Sequence, residues 1–346
     1  MAHSNEMNTG LDIGANSIKA VAIKPTKTGF ELLCAKECRL KSSSTENGFV
    51  SDFGELVVGI KNIMDNGNFP SKNIATALKG ASTFVRKLSV FCESPAELKE
   101  TFPWIVDQYV CLDPEEMSID FEILGEGERY HHVKVLVIGA KKDAVTDIVS
   151  VIESAEAVPR IIEPEELSLA RLFRAVDSVQ ADTCVIIHVG FVGSMVVFLT
   201  GGTFDFSHEI DFGGKFCKEM LIEELGLPKE EGELIMMDPE SHFDPDEAKQ
   251  TIVDKFCTPF AENIDKAIRL YIHKGGNMPY KIMLSGGGCE IYGLSDALSR
   301  RFSVPVEYLD PWKVVEVPDD LKDSLNSSSK YTYNIAIGLA MSEKVY

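Results

Sequence analysis

No stretch of this chain stays apolar for the roughly 20 residues that a membrane-crossing helix needs. The first residues, Met1 to Gly10, are polar and lack the apolar core of a secretory signal, so the chain is expected to be made and kept in the cytoplasm. Basic residues are scarce: 34 Lys and Arg stand against 54 Asp and Glu, for a net charge of −20. Nucleic-acid affinity comes largely from cations that neutralise phosphates, so a nucleic-acid partner is excluded. The eight cysteines, at 34, 38, 92, 111, 184, 217, 257 and 289, form no Cys-x-x-Cys pair. Most of them sit inside apolar runs and are expected to be reduced and buried. Gly-x-x-x-x-Gly-Lys is missing, which excludes a P-loop, and no Gly-x-Gly-x-x-Gly follows an early strand, which excludes a dinucleotide fingerprint. The pair His131-His132 has no carboxylate or cysteine partner at a metal-ligand spacing and reads as a solvated turn. The charge run over 228–240 reads as a solvated loop.

What is there is a repeated pattern. Leu11-Asp12-Ile13-Gly14-Ala15-Asn16-Ser17-Ile18-Lys19-Ala20 sets an Asp and a Gly in a short turn between two apolar, strand-like runs. Val185-Ile186-Ile187-His188-Val189-Gly190-Phe191-Val192-Gly193-Ser194 repeats strand, turn and strand, with His188 at the acidic position. Ser285-Gly286-Gly287-Gly288 follows further on. Two hairpins facing each other across a cleft, with a glycine turn beside them, form a pattern suited to the phosphates and nucleoside of one nucleotide.

The length, 346 residues, exceeds one ordinary domain, so two are expected, each with its own core. The first half reads as strands over 10–13, 18–23 and 30–35, a loop over 41–48, and a helix over 53–64 capped by Asp52 and stopped at Asp65-Asn66-Gly67. From 83 to about 159 a compact α+β insert is expected: strands over 84–91, 118–124 and 133–138, a helix from 95, and a helix over 143–154. Residues 161–163 resume the outer sheet, and 164–173 reads as a helix. The second half reads as strands over 184–189, 195–199 and 203–210, then a helix over 215–225 led by Gly213-Gly214. A long helix follows, capped by Asp244-Pro245-Asp246-Glu247 and kinked at Pro259, with apolar residues from Ile252 to Tyr271 at helical spacing. A strand over 281–284, a helix over 294–302, a strand over 304–309, a polar loop over 318–330 and a short helix over 333–341 complete it. The halves share one plan about 175 residues apart, which is duplication of a domain.

In this order the motifs resemble the actin-like ATPase superfamily shared by actin, sugar kinases and heat-shock chaperones, and within it the PilM-type pilus assembly proteins. The resemblance runs from about Asn8 to Ala340. Its PilM branch rests on Ala81-Ser82-Thr83-Phe84-Val85-Arg86-Lys87, Trp104-Ile105-Val106-Asp107-Gln108-Tyr109 and Glu163-Pro164-Glu165-Glu166-Leu167-Ser168-Leu169-Ala170. It implies an α/β fold of duplicated actin-like, ribonuclease H-like domains around a nucleotide cleft. Domain 1 would span 8–180 with its insert at about 83–159. Domain 2 would span 181–346, with a helical subdomain at about 215–280 and a closing helix at 333–341. The resemblance also implies a cytoplasmic scaffold beneath the inner membrane, met by the membrane only through partners. Those partners would be the N-terminal peptide of a PilN-type membrane protein and the pilus motor ATPases, with a homo-oligomer left open.

Carried over residue by residue, Asp12, Gly14, Ala15, Asn16, Ser17 and Lys19 resemble the first phosphate loop, and Gly190, Gly193 and Ser194 the second. Gly213 and Gly214 resemble the first connecting segment, and Gly286, Gly287 and Gly288 the adenosine loop. ATP is the implied cofactor, with Mg²⁺ held through water by Asp12. Small residues let backbone N–H groups approach phosphate oxygens, and Gly14 to Ser17 meet that need. Lys19 reads either as a phosphate ligand or as a solvent-facing strand residue. Lys215 and Glu219 read either as ribose contacts or as solvated surface. His188 departs from the pattern, because hard cations want oxygen and active relatives carry an acid there. Phe191 and Val192 replace small polar residues as well, so hydrolysis is expected to be weak or absent. Two functions compete with the scaffold and differ in what they need. An active ATPase or small-molecule kinase of the superfamily wants a catalytic carboxylate near the acceptor, and none is convincing here. An FtsA-like filament protein carries a membrane helix at its C-terminus, whereas this chain reaches Ser342-Glu343-Lys344-Val345-Tyr346 right after the last core helix.

Overall fold

Period-2 alternation in the central strands sorts their side chains into separate cores. In β11 (Thr183–Val189), Val185, Ile187 and Val189 join one buried cluster while Cys184 and Ile186 join another. A strand buried on both faces must be covered on both, and that requirement organises the molecule. The computed structural model describes residues 9–41, 44–46, 48–92, 97–98, 101–102, 115–127, 131–177, 182–325 and 329–342.

The first sheet contains β1 (Thr9–Ile13), β2 (Ser17–Pro25) and β3 (Phe30–Arg39) as an antiparallel meander. Past a two-residue ribbon, β4 (Thr45–Glu46) and β5 (Phe49–Val50), comes α1 (Phe53–Asn66). Strand β6 (Asn73–Leu78) then lies parallel to β1. Three antiparallel strands, β7 (Thr83–Phe91), β8 (Met117–Glu126) and β9 (His132–Lys141), form a separate sheet in the order β7-β9-β8. After α2 (Lys142–Ser154), β10 (Val158–Pro164) pairs parallel with β6, and α3 (Glu165–Val176) leads to the second half.

The second half repeats the meander in β11, β12 (Ser194–Thr200) and β13 (Thr203–Ile210). Helices α4 (Gly214–Leu225), α5 (Gly232–Met237), α6 (Pro245–Ile252) and α7 (Thr258–His273) precede β14 (Lys281–Ser285). Then come α8 (Leu294–Phe302), β15 (Val306–Tyr308), β16 (Val315–Glu316), α9 (Asp319–Leu325) and α10 (Asn334–Ala340). The second sheet runs β13-β12-β11-β14-β15 and the first β10-β6-β1-β2-β3-β16, so five strands of each follow one order.

Helices α3 and α10 share one apolar cluster with inner-face residues of both sheets, including Val21, Leu169, Phe173, Ile186, Met283 and Ile337. Helices α1 and α2 cover the outer face of the first sheet, and α4 to α8 that of the second. The tail of the chain thus returns to the first half: β16 pairs with β3, and α10 lies on β1. A Cβ at Gly338 would lie 2.2 Å from the Ser168 carbonyl oxygen, and one at Gly10 only 1.9 Å from that of Ala336, so these glycines set the closeness of the contact.

Several elements differ from the sequence reading. The strand at Asn73–Leu78 and the short pair at Val315–Glu316 are additional. The long helix is interrupted by a π-helical turn at Val253–Cys257, just before Pro259, whose missing N–H forces the ladder to re-register. The expected loop over 228–240 holds α5, and the one over 318–330 holds α9. Helix α2 packs with α1 on the first sheet through Ala144, Ile148, Val151 and Ile152, instead of on the three-stranded sheet expected as its partner. Seven cysteines are free, and all but the half-buried Cys38 are buried; Cys111 and the stretch 104–109 lie outside the described residues. His131 and His132 pack edge-on against Phe91, with ring centroids 6.1 and 5.7 Å away.

Candidate functional site

The two hairpins face one cleft of about 770 Å³. Each turn closes on itself: Gly14 N–H donates to Ser17 O at 3.0 Å, and Gly190 N–H to Gly193 O at 3.1 Å. In the first hairpin Asp12 pairs across the ladder with Lys19; at the matching positions of the second, His188 pairs with Met195. One hairpin is therefore charged where the other is neutral.

Asp12, Gly14, Ala15, Asn16, Ser17, Lys19, Gly190, Gly193, Ser194, Gly214, Gly287 and Gly288 all line the cleft. The glycines do different work. Gly286 has φ of +88°, and a Cβ there would lie 2.6 Å from Val189 O, so the turn itself demands glycine. Gly213, behind the wall, would meet Gly190 O and Phe191 O at 2.7 Å. Gly287 is different: a Cβ there would meet only Thr332 Oγ1, at 3.4 Å. Neither φ nor packing demands glycine at 287, and its bare backbone forms cleft wall where a nucleoside is expected. Helix α4 meets the second turn directly, Gly214 N–H donating to Gly190 O at 3.0 Å and Lys215 N–H to Phe191 O at 2.7 Å. Lys215 and Glu219 are not among the lining residues; they pair with each other at 3.9 Å on an exposed face.

Asp12 is 4% exposed, and burial alone would push its carboxyl up. The ammonium of Lys79, 3.3 Å from Oδ1, and that of Lys19, 3.7 Å from Oδ2, outweigh burial and hold it below the usual carboxylate range. Lys79 also stands 3.6 Å from Glu165 Oε2. Burial pushes the Glu165 carboxyl up to about 7, against the pull of Lys79. His188, half-buried in the cleft wall, has its pKa lowered to about 4 by desolvation, leaving a neutral imidazole whose Nδ1 lies 3.2 Å from Ser285 Oγ. Asn334 Nδ2 donates to the same Ser285 oxygen at 3.0 Å. Across the cleft mouth, Arg39 of β3 reaches Glu233 of α5 at 2.6 Å.

A hydrated magnesium ion does not fit this arrangement. Both Asp12 oxygens already face ammonium groups, and the matching position of the second hairpin offers nitrogen. Among the described residues no group of three or more His, Cys, Asp or Glu is placed to hold a metal.

Lys79 and Glu165 were not singled out as site residues by the sequence. They sit just past the ends of adjacent parallel strands, where Leu78 and Pro164 are register partners. Leu78 and Pro164 line a second, apolar concavity of about 190 Å³ between the first sheet and the three-stranded sheet, with Ile119, Ile138, Val145 and Ile162. The apolar run at 74–78 followed by Lys79-Gly80 was the available signal, since ligands gather at the carboxyl ends of parallel strands.

Comparison with known proteins agrees with this geometry. The sequence profile of the Type IV pilus assembly protein PilM family matches residues 10–344. Among solved structures, the PilM-PilN type IV pilus biogenesis complex superposes with a TM-score of 0.82 at 20% identity, over 97% of this chain and 98% of that one. The ethanolamine utilization protein EutJ from Carboxydothermus hydrogenoformans gives 0.60 at 13% identity, over 98% and 90%. MreB5 of Spiroplasma citri bound to AMPPNP gives 0.52 at 11% identity, over 97% and 95%. No helix among the described residues is long and apolar enough to cross a membrane. With its duplicated sheets, its hairpin-lined cleft and a family match over nearly its whole length, this chain belongs to the PilM family of type IV pilus assembly proteins and has the actin-like ATPase fold.

Proposed function

We propose that this chain is a scaffold of type IV pilus assembly, lying at the cytoplasmic face of the inner membrane through its partners. It holds a nucleotide such as ATP in the cleft with weak or no hydrolysis, docks the N-terminal peptide of a PilN-type membrane protein, and relays that state to motor ATPases. The observation that carries the reading is the asymmetry of the two hairpins: Asp12 faces Lys19 in one, His188 faces Met195 in the other. The first, with Lys79 beside it past the end of β6, keeps a charged grip for phosphates through Lys19 and Lys79. The second has, where an acid would help place an attacking water, a neutral imidazole tied to Ser285, a weak base with a pKa near 4. Bare backbone at Gly287 supports a nucleoside against the opposite wall. AMPPNP is bound by MreB5, whose fold this chain shares, which supports a nucleotide in the same cleft. The PilM-PilN complex, which this chain resembles, supports a PilN-type partner, and we take the concavity beside Leu78 and Pro164 as the candidate seat for its peptide.

Calorimetric titration with ATP tests the cleft. Micromolar binding, about −8 kcal/mol, is expected with negligible phosphate release. Fast turnover would refute the scaffold reading, and no heat at millimolar ATP would leave the fold as a docking platform alone.

A further inference from the structure

We infer that the cleft takes the nucleotide's phosphates without a divalent cation, the two ammonium groups of Lys79 and Lys19 standing where the metal's charge would otherwise be needed. This rests on the nucleotide-binding reading above and names the ionic form of ligand that the site accepts.

A nucleotide site that uses magnesium must supply carboxylate or hydroxyl oxygens that orient the ion's water shell. Here the buried carboxylate of Asp12 is committed on both sides, to Lys79 at 3.3 Å and to Lys19 at 3.7 Å. These side chains are largely enclosed: relative exposures are 5% for Asp12, 12% for Lys19 and 26% for Lys79. Two unit positive charges flank this carboxylate, equal to the charge of one divalent ion. The second hairpin has no acid at the matching positions, His188 standing for Asp12 and Met195 for Lys19, and Glu165, which also lines the cleft, is itself paired with Lys79 at 3.6 Å.

Lys79 is also built to serve a ligand. Its backbone is fixed, because Gly48 packs so closely that a Cβ there would lie 1.9 Å from Lys79 O, and Gly80 takes φ of +66° to turn the chain beside it. The ammonium is shared between Asp12 and Glu165 and still keeps some exposure to the cleft. A phosphate oxygen entering between the hairpins can take over one of its hydrogens without leaving Asp12 unpaired, since Lys19 stays beside it. Charge-assisted N–H···O contacts of this kind are among the stronger polar contacts available to a protein.

The test is calorimetry of the purified full chain with ATP in excess EDTA and again in millimolar Mg²⁺. The expected result is affinities within about threefold of each other, less than 1 kcal/mol. Lys79→Met should lower affinity in EDTA at least tenfold, about 1.4 kcal/mol. Lys79→Arg keeps the charge beside Asp12, guards against misfolding as an explanation, and should retain most of the metal-free affinity. The double variant His188→Asp, Lys79→Met should bind ATP better with Mg²⁺ than in EDTA, having exchanged an ammonium for a second acid. Binding by the unaltered chain in Mg²⁺ but not in EDTA overturns the inference and leaves the nucleotide reading standing. Binding in neither overturns both.

Discussion

Replacing Glu166 by Gln should make the protein more stable in mildly alkaline buffer and leave it almost unchanged in acid. Glu166 opens α3 between the two halves and is 6% exposed. Its Oε1 accepts from Ser207 Oγ of β13 at 3.1 Å, while Oε2 is buried without a hydrogen-bond partner. Burial raises its carboxyl from 4.5 to about 7. The unfolded chain releases this proton near 4.5, whereas the folded chain keeps it until about 7, so the group's contribution is complete below 4.5 and is lost as pH rises through 7. At roughly 1.4 kcal/mol per tenfold, the loss amounts to about 3 kcal/mol. Gln keeps the shape and an acceptor for Ser207 but cannot ionise, so it escapes that loss. Urea unfolding of both proteins at about pH 5 and about pH 8 reads the difference directly. The gap between variant and parent should widen toward about 3 kcal/mol at the higher pH. Parallel pH profiles, or a variant uniformly weaker than its parent, would refute the argument that an ionised, half-satisfied carboxylate is buried between the halves.

Other perturbations read other parts of the structure. Gly338→Ala should destabilise by about 1–3 kcal/mol, measured by thermal melting, because its Cβ would lie 2.2 Å from Ser168 O. Arg171→Met removes a paired contact to both Glu163 oxygens at 2.7 Å and a bond to Gly338 O at 2.7 Å. Stranding Glu163 should cost about 3–5 kcal/mol in urea, and Arg171→Lys should recover little of it, since lysine lacks the planar fork. His188→Gln should flatten the acid side of the stability profile: the unfolded imidazole takes its proton near 6.5 and the folded one near 4, so that contribution is present above 6.5 and lost as pH falls through 4. Gly287→Val should leave the melting temperature unchanged yet weaken ATP binding at least about tenfold in the calorimeter, because it fills space that packing leaves open. A lower melting temperature would mean that this glycine serves the fold instead.

The sequence showed best what is local and periodic. Both hairpins were readable because each has a turn between apolar strands; the missing N–H of Pro259 was readable too, but the chain meets it with a π-helical turn at Val253–Cys257. Helix α1 and its Asp52 cap were readable from spacing, and Asp52 does accept from the Glu55 N–H. What stayed hidden depends on partners far along the chain. Strand β6 is a short apolar run whose identity comes from lying between β1 and β10, and with it went Lys79, an ordinary lysine until the parallel register sets it beside Asp12. The packing of α2 stayed hidden for a related reason: its apolar stripe fits either sheet, and only the tertiary arrangement sets it beside α1. Lys215 and Glu219 have helical spacing that suits a ribose contact or a solvent-side ion pair, and α4 turns them to solvent.

Strands β6 and β10 end side by side, and consecutive residues there point to opposite concavities: Leu78 and Pro164 to the apolar groove, Lys79 and Glu165 to the charged cleft. The two cavities therefore share one wall a single residue thick, cross-braced by the 3.6 Å contact between Lys79 and Glu165. Were the proposed peptide to wedge Leu78 away from Pro164 it would pull on that brace, and an anion that drew Lys79 off Glu165 would loosen the groove from behind. Whatever free energy one occupant contributes to the other's binding, the second returns in equal measure to the first.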